Sequence, residues 1–143
     1  MNQQHIERSV RIALDEDLGG QDAAQGDITA NLIPLNNQAT AQVITRDDCV
    51  MAGKAWFDET FRQVDPGIQI EWLADDGYGL TANQLICNIK GNARGILTAE
   101  RTALNFLQTL SATATVTRSY VDLLAGSQLK LLDTRKTLPG MRL

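Results

Sequence analysis

A single histidine, His5, in 143 residues removes whole classes of chemistry at once. One imidazole close to the start of the chain can build neither a serine-histidine-aspartate triad nor a multi-histidine metal site. Cysteine is almost as scarce. Cys49 and Cys87 are far apart and form no CxxC pair, which argues against zinc and leaves two reduced core thiols. No apolar run approaches the length of a membrane span, and the first eleven residues are too polar for the apolar region of a signal peptide, so the expected setting is soluble and cytoplasmic. GxxxxGK[ST] is absent, as is a GxGxxG following a strand, which removes the Walker loop and the dinucleotide fingerprint. Internal repeats and low-complexity segments are also missing.

What is present is enough apolar content, 43%, for one domain with its own core plus a remnant of a second. Charge is distributed unevenly. Residues 1–93 hold 6 Lys or Arg against 14 Asp or Glu, whereas residues 94–143 hold 7 against 3. A net charge of -4 speaks against a nucleic-acid surface. The basic last third is either a positive field localised for a small anion or ordinary scatter of surface charge.

Periodicity orders the chain. Ile6, Val10, Ala13 and Leu14 fall at helical spacing and predict a helix ending near Leu18, ahead of Gly19-Gly20. Asp15, Glu16 and Asp17 then lie at the helix end that the dipole makes unfavourable for acids, and are read as a solvated terminus rather than a metal site. "GQDAAQGDITANLIP" has the composition of an irregular loop. Alternation at Ala39, Ala41, Val43 and Thr45, the run from Cys49 to Ala52, the alternation at Ile68, Ile70 and Trp72, and that at Leu85, Cys87 and Ile89 predict strands, the last closed by Gly91. Phe57, Phe61 and Val64 predict a helix between Lys54 and Val64, stopped by Asp65-Pro66-Gly67. Thr98 is the expected N-cap of a further helix, with Ala103, Phe106, Leu107, Leu110 and Ala114 on its buried face. Arg101, Asn105 and Gln108 form a polar stripe on another face. The Ser and Thr run over residues 111–117 is expected to bend or break this helix before it resumes to a Gly126 cap. Residues 129–132 are expected to form a strand. The fold class that follows is α+β, a mostly antiparallel sheet with helices over residues 1–97, then linking helices and the first strand and loop of a (β/α) barrel over residues 98–143.

The densest polar chemistry lies just past that strand. Thr134, Arg135, Lys136 and Thr137 put a guanidinium fork, an ammonium and hydroxyls together, which suits carboxylate or phosphate better than any neutral ligand. By itself it is either a ligand-binding loop or a solvated turn.

Two stretches in order, "AERTALNFLQTLS" at residues 99–111 and "LLDTRKTLPGMR" at residues 131–142, resemble the quinolinate phosphoribosyltransferase family, also called nicotinate-nucleotide pyrophosphorylase (carboxylating). "ALDEDLGG", "GDITANLIP" and "VITRDDCVMAGKAW" extend the resemblance over essentially the whole chain. The resemblance implies an N-terminal α/β sandwich-like domain, an incomplete (β/α) barrel, and a homodimer whose active sites borrow residues across the interface. It implies a pentosyltransferase of NAD biosynthesis that joins quinolinate to phosphoribosyl pyrophosphate with Mg2+, giving nicotinate mononucleotide, pyrophosphate and carbon dioxide. Residue by residue, Arg101 matches the arginine extended to the neighbouring subunit's substrate, and Thr134, Arg135 and Lys136 match the substrate-binding loop. No residue is assigned a catalytic or metal-ligating role, because the family's further histidine-arginine pair, lysine and metal-binding acids match nothing here.

The chain is therefore expected to be an N-terminal portion of such an enzyme, inactive alone, with neither nucleic acid nor membrane as partner. Three other readings are compatible with parts of the sequence. A paralogue associated with molybdate transport shares the "DTRKT" loop, and a non-catalytic dimerisation fragment is compatible with the family assignment. A biotinyl or lipoyl carrier would need a modifiable lysine in a tight hairpin, whereas Lys90 stands beside Gly91 at a strand end.

Overall fold

The computed structural model describes residues 2–22, 26–134 and 136. Helix α1 (Gln3–Asp17) leads, capped by Asn2, whose side chain accepts from the Gln4 N–H at 3.0 Å. A single 3-10 turn (Ala30–Leu32) precedes β1 (Gln38–Ile44) and β2 (Cys49–Val50). Then come α2 (Lys54–Val64), β3 (Gln69–Trp72), β4 (Gly79–Leu80), β5 (Leu85–Asn92) and α3 (Ala93–Leu123). Strand β5 is the centre of a three-stranded antiparallel sheet in the order β1-β5-β3, and β2 pairs with β4 in a separate two-stranded ribbon. The mixed fold expected from alternation is the fold observed.

Period-2 patterning divides the sheet into two faces. Ala39, Ala41, Val43, Ile70, Trp72, Cys87 and Ile89 pack with Phe57 and Phe61 of α2 and with Ile96, Ala99, Ala103 and Leu107 of α3. Phe57 lies 5.0 Å from Phe61 and 5.1 Å from Trp72, centroid to centroid, and the Trp72 ring meets it edge-on. The opposite face is polar: Gln42 donates to Asn88 at 3.0 Å and Asn88 donates to Glu71 at 3.1 Å. Lys90 pairs with both Thr40 and Gln69 inside the central strand, which is not the hairpin tip a carrier lysine needs. Helix α1 adds a third layer, burying Ile6, Val10 and Leu14 against Trp56, Val64 and Phe106.

Helix α2 has no capping side chain of its own. Gly53 at its N-cap has φ +114°, a value few side chains tolerate. Asp76, from the turn after β3, supplies the missing acceptor, its Oδ1 taking the N–H groups of Gly53 at 2.9 Å and Lys54 at 3.1 Å. Lys54 then pairs with Asp75 and lies 5.6 Å from the Trp72 ring centroid.

Three local expectations are corrected. First, the last helix starts at Ala93, with Asn92 as its N-cap accepting from Arg94 and Gly95 at 3.0 and 3.3 Å. Gly91 does not end the strand; a Cβ there would sit 2.7 Å from Ile68 Cγ1, so its role is close packing. Thr98 is buried inside the helix and donates to Asp27 Oδ2 at 2.8 Å. Second, the Ser and Thr run leaves α3 unbroken: Thr113, Thr115 and Thr117 donate to the C=O four residues earlier within the helix, and two hydroxyls of the run also bond the backbone of β2 and of the residues just after it. Ser111 Oγ accepts from Ala52 N–H at 3.0 Å and donates to Ala52 C=O at 3.1 Å, while Thr115 Oγ1 accepts from Val50 N–H at 2.9 Å. Third, residues 129–132 are in neither helix nor strand, and no strand among the described residues pairs with them.

Candidate functional site

Arg101 projects from α3 with its side chain 75% exposed. Two grooves flank it. One, of about 510 Å³, runs toward α1 past Ala13, Asp17, Phe106 and Thr109; the other, of about 400 Å³, runs past Asp27, Thr29, Leu104 and Gln108. Arg101 and Asn105 line both, so the exposed stripe seen in the sequence is a ridge between two depressions. Arg101 Nη1 donates to Asp17 Oδ1 at 2.9 Å. The Asp17 side chain is only 18% exposed, so it is not the solvated helix end its position suggests.

The neighbouring loop is fixed to α3 by side chains that propensity does not reveal. Arg94 spans it with three bonds: Nε to Ile33 C=O at 2.6 Å, Nη1 to Asn31 Oδ1 at 3.0 Å and Nη2 to Asn31 C=O at 3.3 Å. Asn92 Nδ2 donates to Leu35 C=O at 2.7 Å. Asp27 accepts from Thr98 with one oxygen and from the Ala30 N–H, at 2.9 Å, with the other. "GDITANLIP" is thus tied to α3 at several points, and its Asp27 and Thr29 line the second groove. Asp17, Asp27 and Arg94 are residues that pattern reading passed over. For Asp17 a signal existed, an acid placed against the helix dipole with no basic residue in the last turn.

Of the remaining candidates, Thr134 and Lys136 are exposed on the segment after α3, where the Lys136 N–H donates to Thr134 Oγ1 at 3.3 Å. Arg135 and Thr137 lie outside the described residues. No hydrogen bond or ion pair among the described residues joins Arg101 to Thr134 or Lys136. The two grooves that Arg101 lines are not lined by Thr134 or Lys136. Each of these groups of side chains has the chemistry to receive an anion.

The Cys87 thiol is not suited to nucleophilic work. Cys49 is half-buried and Cys87 fully buried, and burial, helped by the charge of Asp58, pushes the Cys87 thiol up to about 12. No helix of the described residues is long and apolar enough to cross a membrane.

Comparison with known proteins gives the same answer from sequence and from structure. The family described as quinolinate phosphoribosyl transferase, N-terminal domain, matches residues 27–111. A mitochondrial quinolinate phosphoribosyltransferase [decarboxylating] 2b of Nicotiana tabacum is 36% identical over 139 residues, which is 96% of this chain and 38% of that protein. A chloroplastic nicotinate-nucleotide pyrophosphorylase [carboxylating] of Arabidopsis thaliana is 38% identical over 135 residues, 94% of this chain and 37% of that protein. The solved nicotinate-nucleotide pyrophosphorylase of Francisella tularensis superposes with a TM-score of 0.90 at 46% identity, covering 98% of this chain and 49% of that one. The chain spans less than half the length of these relatives. With more than half of its residues inside the matched domain and the same backbone as a solved relative, the chain belongs to the quinolinate phosphoribosyltransferase family through its N-terminal domain.

Proposed function

We propose that this chain supplies the N-terminal part of a cytoplasmic, homodimeric quinolinate phosphoribosyltransferase of NAD biosynthesis, which makes nicotinate mononucleotide, pyrophosphate and carbon dioxide from quinolinate and phosphoribosyl pyrophosphate. The observation that carries the reading is Arg101: a largely exposed guanidinium on the ridge of a domain that matches the family, which we take for the family's substrate arginine from the resemblance of "AERTALNF". Its role is to grip a quinolinate carboxylate at the partner subunit's site. Thr134, Arg135 and Lys136 form the substrate-binding loop of the chain's own site.

Charge compensation is the physical task. Quinolinate brings two carboxylates and its co-substrate several phosphate charges, and all lose water as they meet. Arginine holds a carboxylate with two parallel N–H bonds, while lysine acts as a point charge. When carbon dioxide leaves, the electron pair stays on the ring carbon, and fixed cations nearby stabilise it without reorganising. Magnesium is proposed to accompany phosphoribosyl pyrophosphate. Among the described residues no three His, Cys, Asp or Glu side chains converge to hold a metal, and no step here runs through the ion.

The test is subunit complementation in the enzyme that carries this chain. Arg101→Ala and Arg135→Ala are each expected to lower kcat/KM for quinolinate by about 30- to 1,000-fold, the range for loss of one preorganised donor. Because the two arginines serve one site from different subunits, mixing and reassociating the variants should restore about a quarter of the sites, as random pairing in a two-fold dimer requires. Loss without any restoration would place both residues in one subunit's site. Unchanged kcat/KM in Arg101→Ala would remove Arg101 from the site.

A further inference from the structure

We propose that Asp17 is the positioning residue for Arg101, holding the guanidinium by one nitrogen so that its other edge stands ready for a substrate carboxylate. The inference rests on the role proposed for Arg101 and assigns a function to a residue outside the loops that contact substrate.

The contact itself is selective. Arg101 has five N–H donors, and the bond to Asp17 uses Nη1 alone, at 2.9 Å. Nε and Nη2 form the edge that matches a carboxylate with two parallel bonds, and that edge makes no bond among the described residues. An arginine free on the surface must give up its rotamer freedom when it binds; one already tied at Nη1 has lost much of it beforehand. The tie also restricts the plane of the fork, and hence the direction from which a carboxylate is received.

The anchor is rigid where the arginine is not. Asp17 is the last residue of α1, and α1 is seated by Ile6, Val10 and Leu14 against Trp56 and Phe106, with Trp56 Nε1 donating to Ser9 Oγ at 3.0 Å. Phe106 belongs to the same helix as Arg101, so the core that seats α1 also fixes the spacing between the two side chains. Asp17 meets the negative end of its own helix dipole, and α1 has no basic residue in its last turn to offset it. A placement unfavourable for α1 alone is explained by what the carboxylate does for α3. The alternative, that Asp17 competes with substrate for the cation, fits the geometry less well, because a single bond leaves the bidentate edge open.

The experiment uses the enzyme that carries this chain, with Asp17→Asn, Asp17→Glu and Arg101→Ala compared by KM for each substrate, kcat and thermal unfolding. Asp17→Asn is expected to raise KM for quinolinate about five- to tenfold, the effect of turning one charged hydrogen bond into a neutral one, with KM for phosphoribosyl pyrophosphate and the melting temperature little changed. Asp17→Glu, which keeps the charge, should recover much of the loss. Three results would overturn the inference: an unchanged or lowered KM for quinolinate in Asp17→Asn, a rise in both KM values together with a lower melting temperature in both Asp17 variants, or no recovery with Glu. If Arg101→Ala alone leaves kcat/KM for quinolinate unchanged, the role of Arg101 fails first and this one falls with it. If Arg101→Ala is impaired and Asp17→Asn is not, only the positioning role is lost.

Discussion

Glu59 shows how one residue carries a pH dependence. Its side chain is 2% exposed, yet it is charged and fully partnered. Arg62 donates to it through Nε and Nη2, each at 2.7 Å, and Gln63 Nε2 adds a bond at 2.6 Å while also reaching the Glu7 C=O of α1 at 3.0 Å. The hydrogen bonds from Arg62 hold the Glu59 carboxyl below its ordinary 4.5, and outweigh the opposing effect of burial. The folded protein therefore binds this proton less readily than the unfolded chain does. The stability Glu59 contributes is present above about pH 4.5 and is lost as pH falls below it. Glu59→Gln should cost about 1.5 to 3 kcal/mol at pH 7. By urea titration at pH 7 and again near pH 3.5, the gap between Glu59→Gln and the parent protein should narrow at the lower pH. Asp58 acts in the opposite sense. Burial raises its carboxyl above 3.8, against the hydrogen bond it accepts from Trp72 Nε1 at 2.7 Å, so it contributes nothing to the acid loss.

At the scale of elements, the sequence was most legible where one pattern had one cause. The helix expected over Lys54–Val64 has those bounds, and the alternation in β1, β3 and β5 divides the sheet into apolar and polar faces as expected. It misled where a residue type has a local meaning and a tertiary one. Gly91 reads as a stop but makes room for Ile68, and Thr98 reads as a cap but donates across the fold to Asp27. In the same way the Ser and Thr run reads as a helix breaker, because hydroxyls compete locally for backbone groups. In the fold Thr113, Thr115 and Thr117 do bond the C=O four residues back without breaking the helix, and Ser111 and Thr115 also meet the backbone of β2 and its continuation, on a segment only two paired residues long. The candidate site divides similarly. Arg101 is visible through its motif, whereas Asp17, 84 positions away, is visible only once α1 packs on α3. Ser111→Ala should strand both the N–H and the C=O of Ala52, and cost about 1 to 3 kcal/mol in chemical denaturation, with helix content unchanged by circular dichroism. Thr109→Ala, at an exposed position two residues earlier, is the control expected to cost little.

For the whole molecule the relevant quantity is surface. The chain exposes 9815 Å², whereas a compact monomer of 15.6 kDa exposes about 7,200 Å². Part of that excess has an address. Helix α3 is packed through Thr98, Ala99, Ala103 and Leu107, but every residue from Val116 to Leu123 is exposed, including Val116, Tyr120, Val121 and Leu123. A stretch of two turns has little helical stability of its own, because nucleation is costly, and among the described residues no side chain there is buried to offset it. Protection from hydrogen exchange should therefore be graded along this one helix. In the 143-residue chain, amides from Ile96 to Thr115 should exchange near the global unfolding limit, and those from Thr117 to Leu123 on the order of 100-fold faster. In a protein extended to the length of the relatives the gradient should disappear if the extra chain or a second subunit covers these residues. Uniform protection along α3 in the 143-residue chain would mean that the exposed turns are covered by self-association already, which sedimentation of the same sample would register.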